Sequence, residues 1–133
     1  MINPKTKTAC AVVLFLTAAL ATVYGQEYET HLDYAQVREV RATEGRNGTW
    51  RFDVTVEHND TGWDHYADAW QVLDAETGRV LGERTLLHPH VNEMPFTRSL
   101  SGVEIPDDVA AVRVRARCNV HGYGGREVVV ELQ

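Results

Sequence analysis

From Trp50 to Glu57 the chain alternates without a break. Trp50, Phe52, Val54 and Val56 are apolar, while Arg51, Asp53, Thr55 and Glu57 are polar. Successive side chains of an extended strand point to opposite faces, so such a segment can only settle with one face buried and one wet. Two later segments repeat the pattern. Val112, Val114, Ala116 and Cys118 alternate with Arg113, Arg115 and Arg117, and Val128, Val130 and Leu132 alternate with Glu127 and Glu131. An arginine face beside a glutamate face favours antiparallel pairing of these two. Weaker strands are expected from Tyr34 to Ala42, Tyr66 to Leu73, Val80 to Leu87 and Phe96 to Val103. Turn chemistry separates them: Asn47-Gly48, Asp74 to Gly78, Ile105-Pro106-Asp107-Asp108, and the glycines at 122, 124 and 125. No segment keeps a helical period beyond one turn. About seven short strands predict an all-β chain, an antiparallel immunoglobulin- or fibronectin-like β-sandwich, with a small barrel as the alternative.

The first 25 residues follow another logic. Lys5 and Lys7 precede a run from Ala9 to Ala21 that is apolar apart from Thr17 and the small Cys10. Small residues follow at Ala19-Leu20-Ala21 and Val23-Tyr24-Gly25. A positive start, a short apolar run and a small-residue exit predict a secretory signal peptide over residues 1–25, cleaved after Ala21 or Gly25. A membrane anchor needs ~20 apolar residues, more than this run offers. Cys10 lies too early in the run to be a lipid-attachment cysteine. The expected product is a single sandwich domain over 26–133, periplasmic or secreted, with no membrane association after cleavage.

Cleavage would remove both lysines of the chain and leave 11 arginines against 19 acids, a net charge of −8. That charge argues against nucleic acid, which requires clustered positive charge. A cationic partner or a metal ion suits it better. Cys118 would be the one cysteine left, so no internal disulfide is expected. Nucleophilic chemistry finds little support: only Ser99 and Ser101 remain as serines, and no Gly-x-Ser-x-Gly elbow is present.

If each strand crosses the domain once, the connections alternate between its two ends. The turns at 47–48, 74–78 and 105–108 then share one end, and the segments 58–65, 88–95 and 119–125 share the other. That second end collects His58, His65, His88, His90 and His121, five of six histidines, together with Asp60, Asp64, Glu93, Trp63, Met94 and Tyr123. Long loops on a rigid sandwich are where binding sites usually lie. Imidazoles with a carboxylate suit copper or zinc. The expected metal ligands are His65, His88, His90 and His121 with Asp64 and Glu93. Cys118-x-x-His121 also carries residue types of a blue-copper site, with His88 or His90 and a distant Met94 to complete it. The alternation from Val112 instead reads Cys118 as a buried core residue. Trp70, mid-strand, is expected in the core, and Trp63 is the better candidate for exposure.

Three stretches carry a resemblance: Gly62-Trp63-Asp64-His65-Tyr66-Ala67-Asp68, Leu87-His88-Pro89-His90-Val91-Asn92-Glu93-Met94-Pro95-Phe96-Thr97-Arg98-Ser99, and His121-Gly122-Tyr123-Gly124-Gly125. On them the chain resembles a family of small secreted proteobacterial proteins. The resemblance implies export and a β-rich domain, and brings no activity or ligand with it. The function expected is thus a non-enzymatic exported domain with a histidine-rich loop end that binds a transition metal, copper or zinc. The alternatives are a periplasmic protein-interaction module that docks through the same end and, behind it, a hydrolase.

Overall fold

The structure, a computed structural model, describes residues 20–23 and 26–132. The expected signal peptide lies outside the described residues except for Leu20–Val23 (β1), which pairs antiparallel with Gln26–Glu29 (β2). The sandwich follows. Gln36–Glu44 (β3), Trp50–Glu57 (β4) and Phe96–Val103 (β7) form one antiparallel sheet in the order β3-β4-β7. Ala67–Asp74 (β5), Val80–Thr85 (β6), Ala111–Cys118 (β8) and Val128–Glu131 (β10) form the other in the order β10-β8-β5-β6. The short Gly122–Tyr123 (β9) returns along the end of β8. No helix occurs among the described residues. A three-stranded sheet facing a five-stranded one, all antiparallel, is the sandwich that the alternation predicts.

Alternation sets the core. Phe52, Val54 and Val56 of β4 face Val112, Val114 and Ala116 of β8, with Trp70 and Val72 of β5 and Val37 of β3 closing the layer. All of these are buried. Burying an aliphatic or aromatic side chain of this size contributes about 1.5–3 kcal/mol. Trp70 is fully buried, whereas Trp63 is 64% exposed. On the outer face Arg113 of β8 donates to Glu127 at 2.8 Å, so the arginine and glutamate faces do meet across the β8–β10 pair.

Several strand ends differ from expectation: β3 runs on to Glu44, and β5 is shifted by one residue to Ala67–Asp74. Tyr34 and Ala35 precede β3, because the Tyr34 N–H closes a turn onto the His31 carbonyl at 3.1 Å. β6 stops at Thr85: the Leu86 N–H still bonds the Asp68 carbonyl of neighbouring β5 at 2.9 Å, and the chain then leaves the sheet with Leu87 in solvent.

Loop placement matters most for function. The 58–66, 86–95 and 119–127 connections lie together at one end. The Asn119 N–H bonds the Tyr66 carbonyl at 3.1 Å, and the His90 N–H bonds Asp60 Oδ2 at 2.8 Å. The segment 29–35 joins them through the Glu29 N–H, which bonds the Gly124 carbonyl at 2.8 Å. Its shape is held by the buried Gln36 amide, whose Nε2 donates to the carbonyls of Glu29, His31 and Tyr34 at 3.0, 3.2 and 3.1 Å. Gln36 Oε1 accepts the Arg126 N–H at 3.1 Å. Gly125 permits this close approach, since a Cβ there would lie 2.1 Å from the Ala35 carbonyl oxygen.

Candidate metal centre

The inward rows of β4 and β8 each continue one step past their last apolar residue, and at that step each carries a metal-ligating side chain. After Phe52, Val54 and Val56 comes His58, and after Val112, Val114 and Ala116 comes Cys118. Both are buried, so the top layer of the core is built of donor atoms in place of methyl groups. His65, half-buried on the 58–66 loop, closes over them. Three donor atoms, one from each of these residues, lie within 4.8 Å of one another.

The separations are close. His58 Nε2 is 3.2 Å from His65 Nε2, and His65 Nε2 is 3.5 Å from Cys118 Sγ. The Asp33 carbonyl oxygen joins the set, 3.3 Å from His58 Nε2 and 3.6 Å from Cys118 Sγ. A tetrahedral ion with metal–nitrogen bonds of ~2.05 Å and a metal–sulfur bond of ~2.3 Å spaces its ligands by ~3.3 Å for N···N and ~3.6 Å for N···S. The observed spacings agree with both to about 0.1 Å.

Asp60 fixes the orientation of His58. Its side chain is fully buried and accepts three hydrogen bonds: from the His58 ring at Nδ1 (2.5 Å), from the Ala67 N–H (3.0 Å) and from the His90 N–H (2.8 Å). Burial opposes the Asp60 charge, yet these bonds outweigh it and hold the carboxyl below its ordinary range. An ionised carboxylate only accepts, so His58 carries its proton on Nδ1 and turns the Nε2 lone pair toward His65, Cys118 and Asp33. A carboxylate on the outer nitrogen is the usual companion of a metal-bound histidine. The sulfur in turn accepts the His121 N–H at 3.2 Å. Without a metal, protons can fill the gap, with His65 donating to His58 and the Cys118 thiol to the Asp33 carbonyl. A metal ion would take the place of both.

Of the residues expected as ligands, the structure brings His65 into this group. His121 is adjacent, its ring stacked on Tyr34 at 4.8 Å and edge-on to His65 at 5.3 Å between centroids. His88 and His90 form a separate pair, 4.5 Å between centroids. The His90 ring stacks on Phe96 at 3.8 Å, and its Nε2 accepts a hydrogen bond from Arg98 at 2.8 Å. Burial, then the Arg98 guanidinium and His88, push its proton affinity down. A guanidinium on the lone pair occupies the atom a metal would need. Asp64 and Glu93 are outside the three-residue group; the Asp64 carbonyl accepts from Asn119, and the Glu93 N–H donates to the His90 carbonyl. Met94 packs on the core, and the neighbour it was expected to provide for Cys118 is instead the Asp33 carbonyl.

The sequence reading left out His58 and Asp33 as donors, and weighed Cys118 as a copper ligand only to prefer a core position. For His58 and Cys118 the signal was present, because each continues an alternating row. Asp33 acts through its backbone, which no side-chain census reveals.

A curated protein of Halomicrobium mukohataei, named "Putative lipoprotein", is 41% identical to the chain over 105 residues. The match takes in 79% of this chain and 51% of that protein, so the chain spans about half the length of the curated relative it matches. No family model matches the chain, and no solved structure matches it.

Proposed function

We propose that this chain is an exported domain that binds a transition metal ion, copper or zinc, through His58 Nε2, His65 Nε2 and Cys118 Sγ. The observation that carries the reading is the spacing of the donors: 3.2 Å and 3.5 Å match the edges of a tetrahedral metal polyhedron, and His58 and Cys118 are buried at the end of the core. The thiol gives up its proton on binding, and Asp60 keeps His58 in the ligating tautomer. Export is supported by the basic and apolar start of the sequence and by the name of the Halomicrobium relative. Periplasm or exterior is the expected destination.

The test is metal-dependent stability of protein purified without a histidine tag. A ligand that binds only the folded state at 100 times its Kd adds about 2.7 kcal/mol. Zn(II) should therefore raise Tm in the native protein and in His88→Ala, and leave Tm unmoved in Cys118→Ser and His58→Ala. A shift that survives Cys118→Ser but vanishes in His88→Ala would move the site to the His88–His90 pair and overturn this assignment.

A second reading is favoured by one observation. Trp63, Leu87, Val91 and Val120 are large, exposed apolar residues on the loops around the centre, 64%, 73%, 42% and 55% accessible. Such a rim suits a docking surface for another exported protein. A metal-independent complex abolished by Trp63→Ser and Leu87→Ser together would favour it.

A further inference from the structure

We propose that the His58–His65–Cys118 centre is a copper site that holds Cu(I) and Cu(II) on the same donors and exchanges single electrons. The inference rests on the metal reading above and narrows it.

The donor set is the first argument. Two imidazoles and one thiolate are joined by a neutral backbone oxygen, the Asp33 carbonyl, 3.3 Å from His58 Nε2 and 3.6 Å from Cys118 Sγ. Structural zinc sites are closed by a fourth side chain, a cysteine, histidine or carboxylate. Among the described residues the ligating group has three members, so no fourth side chain closes it. Two nitrogens, a thiolate and a neutral carbonyl oxygen form a donor set that suits copper in a one-electron site.

The sulfur environment is the second. Cys118 Sγ is fully buried and accepts the His121 N–H at 3.2 Å. An N–H directed at a copper-bound thiolate draws charge from sulfur and favours Cu(I), which is one of the ways a protein tunes such a centre.

Rigidity is the third. Cys118 is anchored in β8, His58 directly follows β4 and is held by Asp60, and the Asp33 carbonyl is placed by the loop that Gln36 braces. Donors fixed from both sheets cannot rearrange to suit each oxidation state, so the electron moves with little geometric change. In the forward step one electron from a one-electron reductant converts Cu(II)–thiolate to Cu(I)–thiolate. No metal–donor bond breaks and no proton moves; a one-electron oxidant reverses it. The thiol proton is lost once, on copper loading. His65 is the half-buried ligand and is therefore the edge through which the electron passes.

The experiment loads metal-free protein with one equivalent of Cu(II) and follows visible absorption and electron paramagnetic resonance. Parallel samples receive Zn(II) or Co(II). Copper should give an intense visible thiolate-to-Cu(II) band that ascorbate bleaches and ferricyanide restores through repeated cycles. The band should be absent in Cys118→Ser. His65→Gly should lose it and regain it with added imidazole, which keeps the test valid should Cys118→Ser fail to fold. If Co(II) gives thiolate absorption through Cys118 but Cu(II) gives no band, or oxidises Cys118 to a disulfide-linked dimer, the copper inference falls and the metal site stands. Failure of all three metals to bind defeats both.

Discussion

Asp60 is the residue on which the centre depends most, although it is not a proposed ligand. Its carboxylate accepts from the His58 ring, the Ala67 N–H and the His90 N–H, and the Asp60 and His58 side chains are fully buried. A buried donor left unpaired costs about 1–3 kcal/mol. Asp60→Ala strands three, and water entering the space relieves part of the loss. The expected destabilisation is about 3–5 kcal/mol, the sum over three stranded donors less that relief. At roughly 4–8 °C per kcal/mol for a domain near 100 residues, Tm should fall by at least ~12 °C. Asp60→Asn keeps the shape and turns an amide N–H₂ toward one donor, so a single stranded group should cost about 1–3 kcal/mol. Urea unfolding of metal-free protein, followed by tryptophan fluorescence, would rank native above Asn above Ala. Metal affinity of the Asn variant should drop by roughly 10- to 100-fold, the usual effect of losing such a support. An Asp60→Ala protein within ~0.5 kcal/mol of native would refute the reasoning, because the three donors would then have no need of the carboxylate.

Two further outcomes follow from the same end of the molecule. His90, depressed by burial and then by Arg98 and His88, with Asp60 and Glu93 opposing, binds its proton less readily folded than unfolded. Stability should therefore fall as pH drops from the reference value of ~6.5 toward the lower folded value, and level off below it; His90→Gln should flatten the difference in urea midpoint between pH 7.5 and 5.5, and an unchanged difference would exclude His90 as its source. Gly125→Ala brings a Cβ to 2.1 Å from the Ala35 carbonyl and 2.8 Å from Gln36 Nε2; it should cost at least about 1–3 kcal/mol and weaken metal binding by displacing the Asp33 loop, whereas an unaltered unfolding midpoint would mean that this approach is not needed.

Much of the architecture was legible because burial on one face writes itself into alternation. β4 and β7 fall on Trp50–Glu57 and Phe96–Val103, the spans the pattern predicts. The crossing of each strand brings the 58–66, 86–95 and 119–127 connections to one end, as single-pass antiparallel strands require. Strand ends were less legible, because they are set by backbone hydrogen bonds that alternation does not reveal, such as the turn from Tyr34 onto His31. The histidine pairing was not legible at all. His88-x-His90 carries the simplest ligand motif in the sequence, yet Arg98, eight residues downstream on β7, takes the His90 lone pair. Only the sheet geometry brings that guanidinium there.

His58 and Cys118 show why a motif search looks in the wrong place here. No local pattern joins the two; they are 60 positions apart and meet because β4 and β8 lie in opposing sheets. Each reads as the last member of a hydrophobic row, and for Cys118 that reading agrees with its full burial. Burial and ligation are not alternatives at such a position. A donor at the end of an inward row inherits the rigidity of the core below it, while the half-buried His65 above keeps the centre within reach of solvent. The layer that closes this end of the sandwich thus has polar atoms where the rest of the core has apolar ones, and a buried polar layer is retained at a cost in stability unless its groups are satisfied. Protons satisfy it weakly, through a thiol contact of 3.6 Å and an imidazole contact of 3.2 Å. One metal ion would satisfy every donor at once, so on the proposed reading the stability gained on loading should exceed what the same ion gives a surface histidine pair, and should vanish with Cys118.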